Sequence, residues 1–317
     1  MMEYQFYTAD VFTDQTFGGN PLAVFPQAQG LSSLQMQKIA GEINYSETVF
    51  VLPPETAEGI RRLRIFTPKS ELPFAGHPTV GTAYILAYIG DITLDKPEIT
   101  IIFEEGAGPV PVKILSESGQ PTYTELTAAQ LPEFGPTAPD IKDLAEMLSL
   151  DPEDFLTGDY APQAVSCGLP FLFIPLNSQE ALARAKLQRD RWESLLANSW
   201  TDCVYLFTFE TSSKSVFMRS QSAAVRSRMF APSLGIEEDP ATGSAAAALG
   251  GYLGIRDQRD GLLQWQIEQG IEMGRPSLLT VQTFKKEGLI QKICVGGSSV
   301  MVIQGVMKIP CENNSLT

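Results

Sequence analysis

Residues 238–253 read Glu-Asp-Pro-Ala-Thr-Gly-Ser-Ala-Ala-Ala-Ala-Leu-Gly-Gly-Tyr-Leu, and a helix of that composition has no side made for water. Asp239 suits the N-cap, Pro240 suits the first helical position, where a missing N–H costs nothing, and Gly250 with Gly251 can close the far end. Asp239, Thr242 and Ser244 gather in the first turn, and alanine and leucine fill most of the rest. A rod this thin and apolar must be enclosed on every side, which leaves few architectures. Its N-terminus, with free N–H groups, a carboxylate and hydroxyls, suits an anion.

The pattern occurs twice. His77-Pro78 with Gly81-Thr82-Ala83 matches Asp239-Pro240 with Gly243-Ser244-Ala245, and an apolar body follows each. Further anchors keep the same order: 19–25 with 168–174, 46–51 with 201–206, 64–68 with 228–232, and 103–106 with 267–270. Such a series implies an internal duplication with a period far too long for a solenoid. In this alignment Asp202 falls opposite Glu47.

The expected fold is α+β: two pseudo-symmetric domains, 1–118 and 119–317, each a curled, mostly antiparallel, barrel-like sheet around one buried helix. A doubly wound parallel sheet would need a regular alternation of strand and helix that this chain lacks. Strands are expected at 4–12, 21–25, 48–52 and 60–67, with a helix from Ser32 or Ser33 to Ile43 that turns Leu34, Ile39 and Ile43 inward. The stretches 119–121 and 131–139 mark the crossing, a long polar helix is expected at 179–197, and a strand at 215–219. The last strand, near 299–308, is open to pairing with either domain. Gly270, Gly274 and Arg275 fall in a loop that suits a plain hairpin turn as well as a ligand contact.

A formal net charge of −14, with no basic run, argues against nucleic acid as a partner. No apolar run approaches a membrane span, and Met1 to Tyr7 lacks the features of a secretory leader, so a soluble, cytoplasmic protein is expected. Cys167, Cys203, Cys294 and Cys311 are too scattered for a zinc site, and with His77 as the sole histidine no metal centre is expected.

If the two buried helices face each other, one cleft gathers backbone N–H groups from Gly76 and Gly243, hydroxyls from Thr82, Thr242 and Ser244, the carboxyls of Glu47 and Asp239, and the His77 imidazole. A lone histidine is more often structural than catalytic, and a glutamate taken blind is more often exposed. The position of each beside a buried element favours the site. Such a set suits a small carboxylate substrate: dipoles hold the acid and any enolate-like charge, and a side chain moves a proton at carbon. No nucleophile elbow, phosphate loop or dinucleotide fingerprint is present, which leaves cofactor-free proton transfer.

The stretches 17–25, 44–50, 74–83, 238–245 and 269–277 together resemble the PhzF family of phenazine-biosynthesis isomerases, across nearly the whole chain. The resemblance implies the diaminopimelate epimerase-like fold, a homodimer, and isomerisation without metal or cofactor. Members of the phenazine pathway move a proton within trans-2,3-dihydro-3-hydroxyanthranilate with a glutamate as shuttle. Carried over by motif, that glutamate is Glu47, supported by His77, Asp239 and Ser244. Related epimerases and racemases carry a cysteine at each helix start, where this chain has His-Pro and Asp-Pro. Cys167 and Cys203 read as packing residues. Amino-acid racemisation or epimerisation, and carboxylate binding without turnover, are the alternatives.

Overall fold

The computed structural model describes residues 1–209 and 223–310. The strand expected at 215–219 and Cys311 lie outside the described residues. The first half runs β1 (Met2–Val11), β2 (Asn20–Phe25), α1 (Ser33–Ile43), β3 (Glu47–Leu52), β4 (Arg61–Phe66), β5 (Glu71–Leu72), α2 (Gly76–Tyr88), β6 (Glu98–Glu105), β7 (Gly108–Glu117), β8 (Gln120–Thr127) and β9 (Glu133–Thr137). After α3 (Ile141–Leu148) the second half follows with β10 (Gln163–Ser166), β11 (Pro170–Pro175), α4 (Gln179–Arg184), α5 (Arg189–Leu196), β12 (Val204–Phe209), β13 (Ala223–Ala231), β14 (Ile236–Asp239), α6 (Gly243–Arg256), β15 (Gly261–Gln269), β16 (Ser277–Lys286), β17 (Leu289–Gly297) and β18 (Ser299–Ile309).

The pairings repeat. In the first half β1 runs antiparallel to β2, β2 parallel to β3, β3 antiparallel to β4, β4 parallel to β6, and β6, β7 and β8 form a meander. The second half gives the same series with β10, β11, β12, β13, β15, β16 and β17. The halves join where β8 and β17 lie antiparallel, Val295 facing Leu126. They also exchange ends: β9 leaves the first half to pair with β10, and β18 leaves the second to pair with β1. The fold is α+β, two barrel-like sheets each holding one helix.

Helices α2 and α6 are those rods, buried over Gly76–Ala87 and Gly243–Gly254. One apolar core runs through both halves around them, including Val80, Ile85, Leu249 and Tyr252, with smaller clusters under α1 and under α3 to α5. Gly250 and Gly251 do not end α6. A Cβ at Gly250 would sit 2.7 Å from Val281 and one at Gly251 would sit 2.6 Å from Pro132, so these glycines let the sheet approach the helix closely.

The helix start also differs from expectation. Asp239 is the last residue of β14, opposite Met229 on β13, and Thr242 is the N-cap of α6. Sheet pairing claims the Asp-Pro that local capping rules assign to the helix. On α1, with Ser32 as cap, Met36, Ile39 and Ala40 form the buried stripe, and Leu34, about 200° around from Met36, is exposed. The helix expected over 179–197 is two, α4 and α5, parted where Ala185 turns extended. The crossing stretch contains two strands, β8 and β9. Among the described residues no helix is long and apolar enough to cross a membrane.

Candidate active site

The starts of α2 and α6 touch. A Cβ on Gly76 would lie 2.5 Å from the Ser244 nitrogen, and one on Gly243 would lie 3.1 Å from the Gly76 carbonyl carbon, so only glycine permits this approach at Gly76. Each first turn has backbone N–H groups without intrahelical acceptors, and the two positive helix ends converge. A cavity of about 270 Å³ opens against them, lined by Gly76, His77, Thr242, Gly243 and Ser244 from the helix starts, by Glu47 and by Asp239. Its other wall is largely apolar, with Leu72, Leu169, Phe171, Trp200, Met229 and Ile236.

Asp239 is tied on both oxygens. Oδ1 accepts from Asn20 Nδ2 at 2.8 Å and Ser46 Oγ at 3.0 Å, and Oδ2 accepts from Thr242 Oγ1 at 2.5 Å. Burial raises its pKa to about 6 in spite of those donors. Glu47, 8% exposed, has an oxygen sealed from solvent with no hydrogen bond among the described residues; that Oε2 lies 3.4 Å from His77 Nδ1. Burial first, and the neighbouring Asp239 charge second, hold the Glu47 carboxyl well above the usual range. Burial takes His77 down to about 3, so its imidazole is neutral at physiological pH, and its Nε2 has no hydrogen-bond partner among the described residues.

Residues 9–305 match the profile of the phenazine biosynthesis-like protein family. This chain belongs to that family, the PhzF isomerases. It is 37% identical to an uncharacterized isomerase of Mesorhizobium japonicum, over 95% of this chain and 97% of that one. It is 33% identical to the trans-2,3-dihydro-3-hydroxyanthranilate isomerase of Pseudomonas chlororaphis, over 96% of this chain and 99% of the other. Among solved structures, a PhzF-family phenazine biosynthesis protein of Bacillus anthracis superposes with a TM-score of 0.83 at 26% identity, covering 98% of this chain and all of that one.

In this PhzF-family chain the strand registers give the true equivalences of the two halves, and they differ from those of the motifs. Phe50 faces Arg64 and Leu206 faces Arg228; three residues back from each lie Glu47 and Cys203, so Cys203, not Asp202, is the counterpart of Glu47. Leu72 faces Ile65 as Asp239 faces Met229, which pairs Leu72 with Asp239. The mutual contact of the helix starts pairs Gly76-His77 with Gly243-Ser244, so the alignment of His-Pro with Asp-Pro does not hold in space. The frame is symmetric and its chemistry is not: Glu47 stands against a thiol, and Asp239 against a leucine.

Of the residues singled out in sequence, Glu47, Gly76, His77, Asp239, Thr242, Gly243, Ser244 and Asp202 line the cavity. Thr82 does not; it is fully buried further along α2. Arg275 does not line it either, but binds Asp10 Oδ1 at 2.5 Å and the carbonyls of Gly18 and Gly19, fixing the loop that leads into Asn20. Asn20 itself was not among the expected site residues. Fully buried, it donates to Asp239 and to the Ala241 carbonyl, both at 2.8 Å, and lies 3.2 Å from His77 Nδ1. The Gly-Gly-Asn-Pro sequence marks the position, but its contacts come from residues more than fifty positions away.

Proposed function

We propose that this isomerase moves a proton between two carbons of a small carboxylate-bearing substrate, with Glu47 as the base and then the acid, and without a cofactor. The observation that carries the reading is the buried Glu47 carboxyl, with one oxygen unengaged, facing a cavity that both helix starts also face. The substrate carboxylate sits against the N–H groups of the Gly76 and Gly243 turns with the Ser244 hydroxyl beside it. Glu47 takes a proton from a carbon in conjugation with that carboxylate, and the electron pair spreads into an enolate-like system stabilised by the same donors. Glu47, now neutral, returns the proton at a second carbon.

The return falls on the face from which the proton left. The group equivalent to Glu47 in the other half is Cys203, whose thiol burial pushes far up, so it is not ionised near neutral pH. One carboxyl therefore serves both steps. Asp239 keeps Glu47 basic by its charge, and Asn20, Ser46 and Thr242 hold Asp239 in place.

The test is incubation with trans-2,3-dihydro-3-hydroxyanthranilate and a panel of small unsaturated carboxylates in deuterated water, read by NMR and mass spectrometry. A substrate of this enzyme gains deuterium at one carbon or shifts its double bond. Glu47→Gln abolishes both. A Glu47→Gln protein that turns over as fast as the parent ends the assignment.

A further inference from the structure

In the second half Gln269 clasps the first turn of α6. Its Oε1 accepts the Thr242 N–H at 3.2 Å, and its Nε2 donates to the Asp239 carbonyl at 2.8 Å and to Thr242 Oγ1 at 3.0 Å. The equivalent residue in the first half is Glu105. Arg61 faces Phe103 and Val225 faces Ile267 across matching parallel pairs, and two residues beyond Phe103 and Ile267 lie Glu105 and Gln269.

Glu105 grips α2 in the same place. It accepts from Thr79 Oγ1 at 2.6 Å, and the backbone N–H of Ala75, the N-cap of α2 as Thr242 is of α6, faces it and favours its charged form. Its Oε2 is sealed from solvent and has no hydrogen-bond partner among the described residues. In the Gln269 clasp the corresponding atom is a donor, and it reaches the carbonyl of the residue whose first-half counterpart is Leu72. A carboxylate has no hydrogen to give there; a carboxylic acid does.

We propose that Glu105 is a positioning residue for the cavity, a neutral acid that repeats the Gln269 clasp and so holds the start of α2, with Gly76 and His77, against the start of α6. The inference rests on the reading of that cavity as the active site. Burial supports the neutral form by raising the Glu105 pKa to about 8. The charged groups around it leave it without a counter-ion. Glu55, Glu58, Arg62, Arg64, Glu71 and Glu104 line the groove beside it, where Arg62 is taken by Glu55 and Arg64 by Glu71. On the other elements that pack on α2, Glu47 of β3 lies beside His77, Asp10 of β1 is taken by Arg275, Glu125 of β8 is paired with Lys113 of β7, and His77 on α2 itself is neutral. Above its pKa Glu105 loses the hydrogen, and a charge is left on an oxygen with no donor.

His77 is the only histidine, so its imidazole gives a single signal from inside the cavity. The experiment is an NMR titration of the full chain between about pH 6 and about pH 10, following the His77 ring and the Ala75 amide in the parent, in Glu105→Gln and in Glu47→Gln. In the parent the His77 ring, 3.4 Å from Glu47, moves once as Glu47 ionises, and the ring and the Ala75 amide are expected to share a second movement with a midpoint near 8. In Glu105→Gln that movement is lost while the fold is kept, because the substitution installs the residue the other half already uses. In Glu47→Gln it persists. A movement shared by His77 and Ala75 near pH 8 that survives in Glu105→Gln overturns the proposal, as does an Ala75 amide that moves while His77 stays still in Glu47→Gln, where the step from Glu47 is gone. The readout needs no substrate, so failure here is distinct from failure of Glu47 as the proton carrier, which is read by deuterium exchange.

Discussion

Gly76 and Gly243 meet backbone to backbone, so the distance between the two buried helices is set by the absence of two side chains. The contacts are unequal: a methyl at Gly76 meets the Ser244 nitrogen at 2.5 Å, and one at Gly243 meets the Gly76 backbone at 3.1 Å. Gly76→Ala must therefore push the helices apart, at a cost of about 1–3 kcal/mol, with activity lost even where folding survives. Gly243→Ala needs a shift of only a few tenths of an ångström and is expected to cost less on both counts. Denaturant unfolding and turnover of the pair check the ranking.

Glu47→Gln should separate stability from function. A carboxyl whose folded pKa is raised contributes stability that is fully present below its unfolded pKa and lost as pH rises towards the folded value. Glu47 is such a group, so the parent pays for its charge as pH increases and the Gln variant does not. The variant is expected to be more stable than the parent at about pH 8, by a margin that shrinks towards about pH 4, while turnover disappears. Urea unfolding at both pH values measures it.

As a base Glu47 must be ionised, so kcat/KM falls as pH drops through its raised pKa. The Asp239 charge is one of the two causes of that elevation. Asp239→Asn removes the charge and should move the acidic limb of the profile to lower pH, whatever it does to the maximum rate. A limb that stays in place or moves up contradicts the pairing.

Asn20→Ala leaves Asp239 Oδ1 with only the Ser46 hydroxyl and the Ala241 carbonyl without its donor. Stranding buried groups of this kind costs about 1–3 kcal/mol. The Asn20 hydrogen bond also lowers the Asp239 pKa, so its removal should raise that pKa above about 6, a shift visible by carboxyl NMR.

Arg275→Lys tests the loop before Asn20. The guanidinium spans Asp10 and the carbonyls of both Gly18 and Gly19, a fan that a point charge does not reproduce. The expected result is a drop in stability of about 1–3 kcal/mol and slower turnover, with the acidic limb of the pH profile unchanged.

The sequence carries the broad plan because the plan is written in burial. An all-apolar rod such as 243–254 has few places to be, and its repeat over 76–87 implies a doubled frame. The detail was hidden where polar residues do structural work. In β8, Thr124 and Glu125 are buried at the seam with β17, so the apolar alternation that betrays a strand is missing. Pro132 packs against Gly251 and Pro136 falls within β9, so a stretch of linker-like composition is an integral part of the sheet. Motif spelling misled at Asp239, where strand pairing outweighs an N-cap signature, and at Asp202, one residue out of register with the true partner of Glu47. Asn20 escaped because no local pattern records a bond to residue 239.

Strands β9 and β18 each follow one half in chain order and hydrogen-bond to the other. Neither half of the chain owns a finished edge. A half taken by itself would leave one side of β1 or β10 bare and carry a closing strand with nothing to close. For the present chain the same interlock predicts that cutting between the halves yields fragments that fold only in each other's company.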